Sequence, residues 1–274
     1  MVEMHTSWRR RLPPLLEAGD PPACESLVGE AGGGVPLLLV CDHASNHVPE
    51  RFGRLGVSPA DLAGHIAWDI GAAAVTRALS RRLGAPAVLS GYSRLLMDLN
   101  RAPDDPSAFP EVSGGVAIPG NRGLDDAERE RRHEALFRPY HDAIAAAVTG
   151  LRCGGRQPVL VSIHSFTPCL CGDPRPWHVG VLWNRDSRLA APAIERLCAR
   201  GDLCVGRNQP YSAREVGFTL DAHAHAAGLA HVTFEIRQDL VADERGRARW
   251  ADLLGELVTG LLADSCGDRS GTVG

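Results

Sequence analysis

Apolar residues along this chain fall into short continuous runs, and between them lie stretches with helical spacing. Val35 to Cys41 is an apolar run after a glycine tract, which suits a strand buried on both faces. Ile70, Ala73, Ala74, Leu79 and Leu83 recur on one face, so Asp69 to Leu83 is predicted as a helix, with Gly84 to end it. Ala87–Leu89 and Leu95–Met97 read as short strands. Asp125 to Val148 reads as a long helical stretch that Pro139 should kink or split. Val159–Ile163, Val179–Trp183, Leu203–Val205 and His231–Ile236 follow as strands. Leu189–Ala199, Ala222–Ala227 and Trp250–Leu262 follow as helices. Such alternation predicts a three-layer αβα sandwich around a mixed, mostly parallel sheet.

Residues 1–34, with Pro13-Pro14, Pro21-Pro22 and Gly32-Gly33-Gly34, read as a peripheral segment. Residues 35–264 read as one α/β domain, and 265–274 as a flexible Gly- and Ser-containing tail. Ala102 to Gly123 is long and turn-rich, the kind of segment that is often functional.

Ligands of parallel sheets gather at the carboxyl ends of the strands. The residues that follow the predicted strands here are Asp42, His43, Ser45 and Asn46; Asp98, Asn100 and Arg101; His164 and Ser165; and Glu235 with Arg237. Two histidines at neighbouring strand ends suit a catalytic zinc, which takes three protein ligands and keeps one open position. His43 and His164 are the first two candidates. The third is Asp69, which a loop can bring back beside His43, or Asn46, which has the H-x-x-E spacing but carries an amide in place of a carboxylate. Asp42 is expected to orient His43. Glu235 closes an apolar strand, where burial should raise its pKa into the range of a useful base. Arg94, Asn100, Arg101 and Arg237 suit a planar anion such as a carboxylate. Ser165, at a strand end, and Asn121, in the long turn-rich segment, complete the substrate-binding candidates.

Composition narrows the chemistry. All 29 Lys plus Arg residues are arginine, so lysine Schiff bases and Walker A phosphate loops are excluded. There is no G-x-S-x-G nucleophile elbow and no G-x-G-x-x-G after a strand. A formal net charge of -4 gives no footprint for nucleic acid, and no apolar run is long enough to span a membrane. Arg9-Arg10-Arg11 is not followed by an apolar signal region. No Cys pair has C-x-x-C spacing, so the eight cysteines are expected to be reduced thiols of a cytoplasmic protein, most of them buried.

Several segments together resemble the N-formylglutamate amidohydrolase family. They are Cys41-Asp42-His43-Ala44-Ser45-Asn46, His65-Ile66-Ala67-Trp68-Asp69-Ile70-Gly71, Gly91-Tyr92-Ser93-Arg94-Leu95, Asp98-Leu99-Asn100-Arg101, Ile118-Pro119-Gly120-Asn121, Ser162-Ile163-His164-Ser165-Phe166-Thr167-Pro168 and Phe234-Glu235-Ile236-Arg237-Gln238-Asp239-Leu240. The resemblance implies a zinc-exopeptidase-like fold, similar to zinc carboxypeptidases and aspartoacylase-like deacylases, with one zinc per chain. It implies hydrolysis of a small acidic N-acyl amino acid, typified by N-formyl-L-glutamate. By the same resemblance His43 and His164 are ligands, Glu235 is the general base, and Arg94, Asn100 and Arg101 hold a substrate carboxylate. Asn46 departs from the wider pattern, which has Glu there. That departure leaves a second reading, a vestigial member that only binds acidic ligands; a third is a related carboxypeptidase or deacylase with another acyl or peptide substrate.

Overall fold

A seven-stranded sheet organises the chain in the computed structural model, which describes residues 14–29, 36–152 and 157–267. Val35, the glycine tract at 32–34 and the end of the expected tail lie outside the described residues. The strands are β1 (Cys24–Leu27), β2 (Leu37–Cys41), β3 (Ala87–Ser90), β4 (Val159–Phe166), β5 (Val179–Leu182), β6 (Val205–Arg207) and β7 (His231–Arg237). Their spatial order is β1-β3-β2-β4-β7-β5-β6. The neighbours β3, β2, β4 and β7 run parallel. β5 is antiparallel to β7, with β6 parallel to β5, and β1 is an antiparallel edge strand. The sheet is therefore mixed, with a parallel centre, as the alternation predicts.

Strand residues alternate between two cores. Leu37, Leu39, Val161, Ile163, Phe234 and Ile236 pack on one face with helices α2 (Ala72–Leu83), α5 (Ala190–Ala199) and α7 (Glu244–Gly267). Leu38, Val40 and Leu160 pack on the other face with α4 (Arg138–Arg152) and the turns at 92–118. Both faces are covered, which is why the central strands read as unbroken apolar runs. The smaller helices are α1 (Pro59–Ala63), α3 (Asp126–Arg132) and α6 (Phe218–His223). α3 runs into α4 through a π-helical stretch, His133–Phe137, just before Pro139. The missing proline N–H breaks the i→i−4 ladder there.

Three expectations need correction. Leu95–Met97 is a turn, although its three side chains are buried. The apolar triplet reflects burial against the second core, and it has no strand partner. The helix expected from Asp69 begins at Ala72, because Gly71 adopts φ 84° and turns the chain first. A Cβ at Gly71 would sit 2.5 Å from the Val241 carbonyl oxygen. Among the described residues most cysteines are not buried: Cys41 is, but Cys169, Cys171, Cys198 and Cys204 are exposed. Residues 102–123 hold two short 3-10 turns and a two-residue hairpin, Val112–Ser113 with Val116–Ala117. Among the described residues no helix is long and apolar enough to cross a membrane.

Candidate active site

The carboxyl ends of β2, β4 and β7 bring His43, His164 and Glu235 to one edge of the sheet. Glu235 is the direct register partner of His164 on parallel strands, so the two side chains leave the same face side by side. Asp69 joins them because its N–H donates to the His43 carbonyl oxygen at 3.0 Å, which pins the turn before α2 against the end of β2. Its carboxylate does not cap the helix. Asp69 Oδ2 lies 2.8 Å from His164 Nδ1 and 3.4 Å from His43 Nδ1.

Each imidazole turns its far nitrogen to a second carboxylate. His43 Nε2 lies 2.7 Å from Asp98 Oδ1, and His164 Nε2 lies 3.0 Å from Asp42 Oδ2. Such outer bonds fix the ring and leave Nδ1 as the inward-facing atom. The expected pairing of Asp42 with His43 is therefore corrected: Asp42 holds His164, and Asp98 holds His43. One residue past β2, Asp42 keeps the parity of Leu38 and Val40, which aims it at α4 and β4. There it accepts hydrogen bonds from the hydroxyls of Tyr140 at 2.8 Å and Thr219 at 2.6 Å. Burial pushes the Asp42 carboxyl up, but His164 and Thr219 outweigh it and hold it at about 2. Asp98 accepts from Arg94 at 2.7 Å and from the Asn100 N–H at 3.0 Å, and it lies well below the usual carboxylate range despite its burial. Burial favours neutral His164, yet its bonds to Asp42 and Asp69 raise its pKa well above the ordinary value.

The residues present fit a metal ion. His43 Nδ1 is buried and has no hydrogen-bond partner. The ligand atoms of His43, Asp69 and His164 all lie within 4.8 Å of one another. Bonds of ~2.05 Å to a tetrahedral zinc separate its ligands by roughly 3.3 Å, close to the 2.8 and 3.4 Å seen here. Two imidazoles and a carboxylate are also a donor set that catalytic zinc uses. Asn46 is turned away, its amide donating to the Leu62 carbonyl at 3.0 Å.

Glu235 is buried, and its Oε2 has no partner. Burial is the main reason its carboxyl is pushed up to about 7. The Asp69 charge adds to this, while His164, His43 and Arg94 oppose it. Arg237 does not neutralise it, because that guanidinium binds Asp239 at 2.8 Å. On the other side Glu235 meets Gly180 of β5, its antiparallel partner. A Cβ at Gly180 would collide with the Gln209 carbonyl oxygen and come within 3.3 Å of the Glu235 Cβ. Gly180→Ala should therefore cost about 1–3 kcal/mol, as overpacking does. Denaturant unfolding checks it, and an unchanged midpoint would show that the strand yields freely.

The cleft over these groups holds about 120 Å³. Arg94, Asn100, Arg101 and Ser165 line it with the four central residues. Arg94 is committed to Asp98 and lies 3.7 Å from Asp69. Arg101 reaches Asp98 only at 4.0 Å. Asn100 Oδ1 accepts from the Thr219 N–H at 3.0 Å. Ser165 donates its hydroxyl hydrogen to the Ile70 carbonyl at 2.8 Å.

Two candidates are not brought to the cleft. Asn121 is buried, donating to the Leu95 and Pro110 carbonyls at 2.8 Å each and accepting from Arg132 at 2.7 Å. Arg237 lies outside the lining with Asp239. His65, Tyr211 and Gln238 do line the cleft without having been substrate or metal candidates. Gln238 follows directly after β7, so a strict reading of strand ends reaches it. Tyr211 comes from a distant loop, and nothing local marks it.

Two imidazoles, one carboxylate and a buried glutamate with a raised pKa, set at the strand ends of an α/β fold, are the donor set and base that metal-assisted amide hydrolysis uses. A profile of the N-formylglutamate amidohydrolase family matches residues 35–242, and the chain belongs to that family of amide hydrolases. N-formylglutamate deformylase of Pseudomonas putida is 28% identical over 144 residues, covering 49% of this chain and 53% of that protein. The match thus spans about half the length of the curated relative. Among solved structures, gene product Atu2144 from Agrobacterium tumefaciens is 41% identical with a TM-score of 0.84, over 89% of this chain and 96% of that one. N-formylglutamate amidohydrolase from Ralstonia eutropha JMP134 is 23% identical with a TM-score of 0.63, over 92% and 100% of the two chains, and speaks for the fold alone.

Proposed function

We propose that the cleft hydrolyses the amide of N-acyl amino acids, with N-formyl-L-glutamate as the type substrate and with His43, Asp69 and His164 holding one zinc ion. The observation that carries this reading is the pair of buried atoms without partners at one edge of the sheet, His43 Nδ1 and Glu235 Oε2. A polar atom left unpaired in the interior costs about 1–3 kcal/mol, so both point to groups that the working site supplies. A zinc ion held there supplies Lewis-acid polarisation of the acyl carbonyl and of a water.

The chain's own residues do the rest. Glu235, with a pKa of about 7, takes a proton from the attacking water and returns it to the leaving nitrogen. The C–N bond breaks, the hydroxyl stays on the acyl carbon, and the products are formate and glutamate. Asp42 and Asp98 hold the two imidazoles in place. Arg101, which has only a loose hold on Asp98, takes the substrate carboxylate beside Asn100 and Arg94 and so aligns the amide.

Formate release from N-formyl-L-glutamate by the purified, zinc-supplied chain tests the reading, and a chain that releases none sinks it. Arg101→Ala should raise KM for this substrate about 10-fold or more, the worth of a hydrogen bond to a charged group. An unchanged KM would remove Arg101 from the clamp.

A further inference from the structure

Away from the metal cradle, two histidines join α4 to α6. His141 Nδ1 lies 2.8 Å from His223 Nε2, and His141 Nε2 lies 2.9 Å from the Leu99 carbonyl oxygen. The two ring planes are 11° apart with centroids at 5.1 Å, so the bond runs in line between ring edges. A carbonyl can only accept, so His141 Nε2 carries a proton. A neutral His141 then presents a bare Nδ1, and His223 Nε2 must be the donor. One carbonyl thus sets the direction of the whole chain, from His223 through His141 to Leu99. Burial holds the His141 imidazole down to about 4, against the Leu99 carbonyl and Asp42 and with help from His223 and His133. The ring is therefore neutral near pH 7, as the chain requires. Phe137 and Phe218 pack against it, with centroids at 4.0 and 5.4 Å.

Leu99 belongs to the turn that the Arg101 N–H closes on the Asp98 carbonyl at 3.2 Å. That turn carries Asp98, which holds His43, and Asn100 and Arg101, which line the cleft. A peptide unit is planar, and the one between Leu99 and Asn100 is gripped at both ends. Its carbonyl accepts from His141, and its N–H donates to Asp98 Oδ1 at 3.0 Å. The first turn of α6 holds the next unit. The Asn100 carbonyl accepts from the Phe218 N–H at 3.4 Å, and Asn100 Oδ1 accepts from the Thr219 N–H at 3.0 Å. With Oδ1 taken by Thr219, the amide NH₂ is the end that Asn100 can offer a ligand. His223 stands at the other end of α6. The bonds therefore close a ring: the turn, His141, His223, α6, and the turn again.

We propose that His141 and His223 are positioning residues, whose one-way hydrogen-bond chain fixes the Leu99–Asn100 peptide and so aims Asn100 and Arg101 at the substrate. The inference rests on the clamp role given to those two residues above and adds what holds the clamp in place. Apolar packing alone would keep Leu99 buried but leave its peptide free to tilt. A bond to the carbonyl removes that freedom, and a clamp works only in the geometry that aligns the amide. A His141 with protons on both nitrogens would face the His223 donor with a second donor and open the ring.

The test measures KM and kcat on N-formyl-L-glutamate, and Kd for L-glutamate by calorimetry, with the zinc-supplied full chain. His141→Phe keeps a ring and loses both bonds. It should raise KM and Kd about 10- to 100-fold, the effect of a small misplacement, and leave kcat and zinc content near native. His141→Gln should restore both constants, because an amide offers one acceptor and one donor as the neutral imidazole does. His223→Leu removes the donor of the chain and should resemble His141→Phe. The double variant should be no worse than the worse single one, since both cut the same chain. Should His141→Phe fail to fold, His223→Leu carries the test, because His223 is only half-buried at the end of α6. Unchanged KM and Kd in a folded His223→Leu chain, a Gln variant as impaired as the Phe variant, or losses confined to kcat and thermal stability would overturn the inference. A native chain that binds L-glutamate, loses it on these substitutions and yet releases no formate would overturn the hydrolytic reading alone. A native chain that neither binds L-glutamate nor releases formate would overturn both.

Discussion

Replacing Glu235 with Gln should lower kcat on N-formyl-L-glutamate by about 10²–10⁴-fold, the usual contribution of a general acid–base group, and leave metal content and fold unchanged. Gln matches Glu in shape but cannot take a proton. The carboxylate leaves the strand on the face opposite Phe234 and Ile236, into the cleft with His43, Asp69 and His164, and its Oε2 has no partner among the described residues. Burial is what holds its pKa near 7, so the neutral amide should be no less stable than the native chain. Steady-state kinetics, metal analysis and thermal unfolding on one preparation check all three parts. A variant that turns over normally would show that Glu235 is not the base. One that loses zinc and unfolds early would show a structural role instead.

Asp69→Asn should lower zinc affinity by more than about 100-fold, beyond what outer-sphere changes usually cost, and take activity with it. Asp69 Oδ2 stands between His43 Nδ1 and His164 Nδ1, and it also accepts from the Ser165 N–H at 3.3 Å. An amide keeps the shape and gives up the charge that a dication needs. Asn46→Ala is the matched control and should leave the zinc content of the chain as it was, since the Asn46 amide is spent on Leu62. Zinc titration of the two variants with a competing chelator reads both affinities. Should the Asn46 variant lose the metal and the Asp69 variant keep it, the third ligand has been misplaced.

Much of this site is legible in the chain because strands leave strong local marks. Val159–Ile163 and His231–Phe234 are apolar runs that end in His164 and Glu235, and a parallel sheet must bring such ends to one edge. That β4 and β7 are adjacent, with His164 and Glu235 in register, comes from the strand order, and no local pattern encodes it. Asp69 is legible as a ligand candidate, but its freedom to face the cleft comes from Gly71, which delays the helix to Ala72. Nothing local marks Asp98 as the partner of His43, because a carboxylate in a turn has many ordinary uses. Its bond to His43 spans 55 residues of chain. Arg237 and Asn121 show the converse. Both occur in family-like motifs, yet one donates to the Pro176 carbonyl and the other closes backbone carbonyls in the interior. Residue type and spacing carry what is local, and side-chain partners are settled by tertiary contacts.

The central claim is that this cleft hydrolyses an N-acyl amino acid with metal held by His43, Asp69 and His164. Its most direct test is formate release from N-formyl-L-glutamate, followed through removal and return of zinc with metal content assayed at each step. The chain should carry about one zinc, as a three-ligand catalytic site does, and release formate and glutamate in equal amounts. It should lose activity and metal together on chelation, and regain both when zinc is added back. Turnover that persists in the metal-stripped chain, or a zinc-loaded chain that releases no formate, would contradict it.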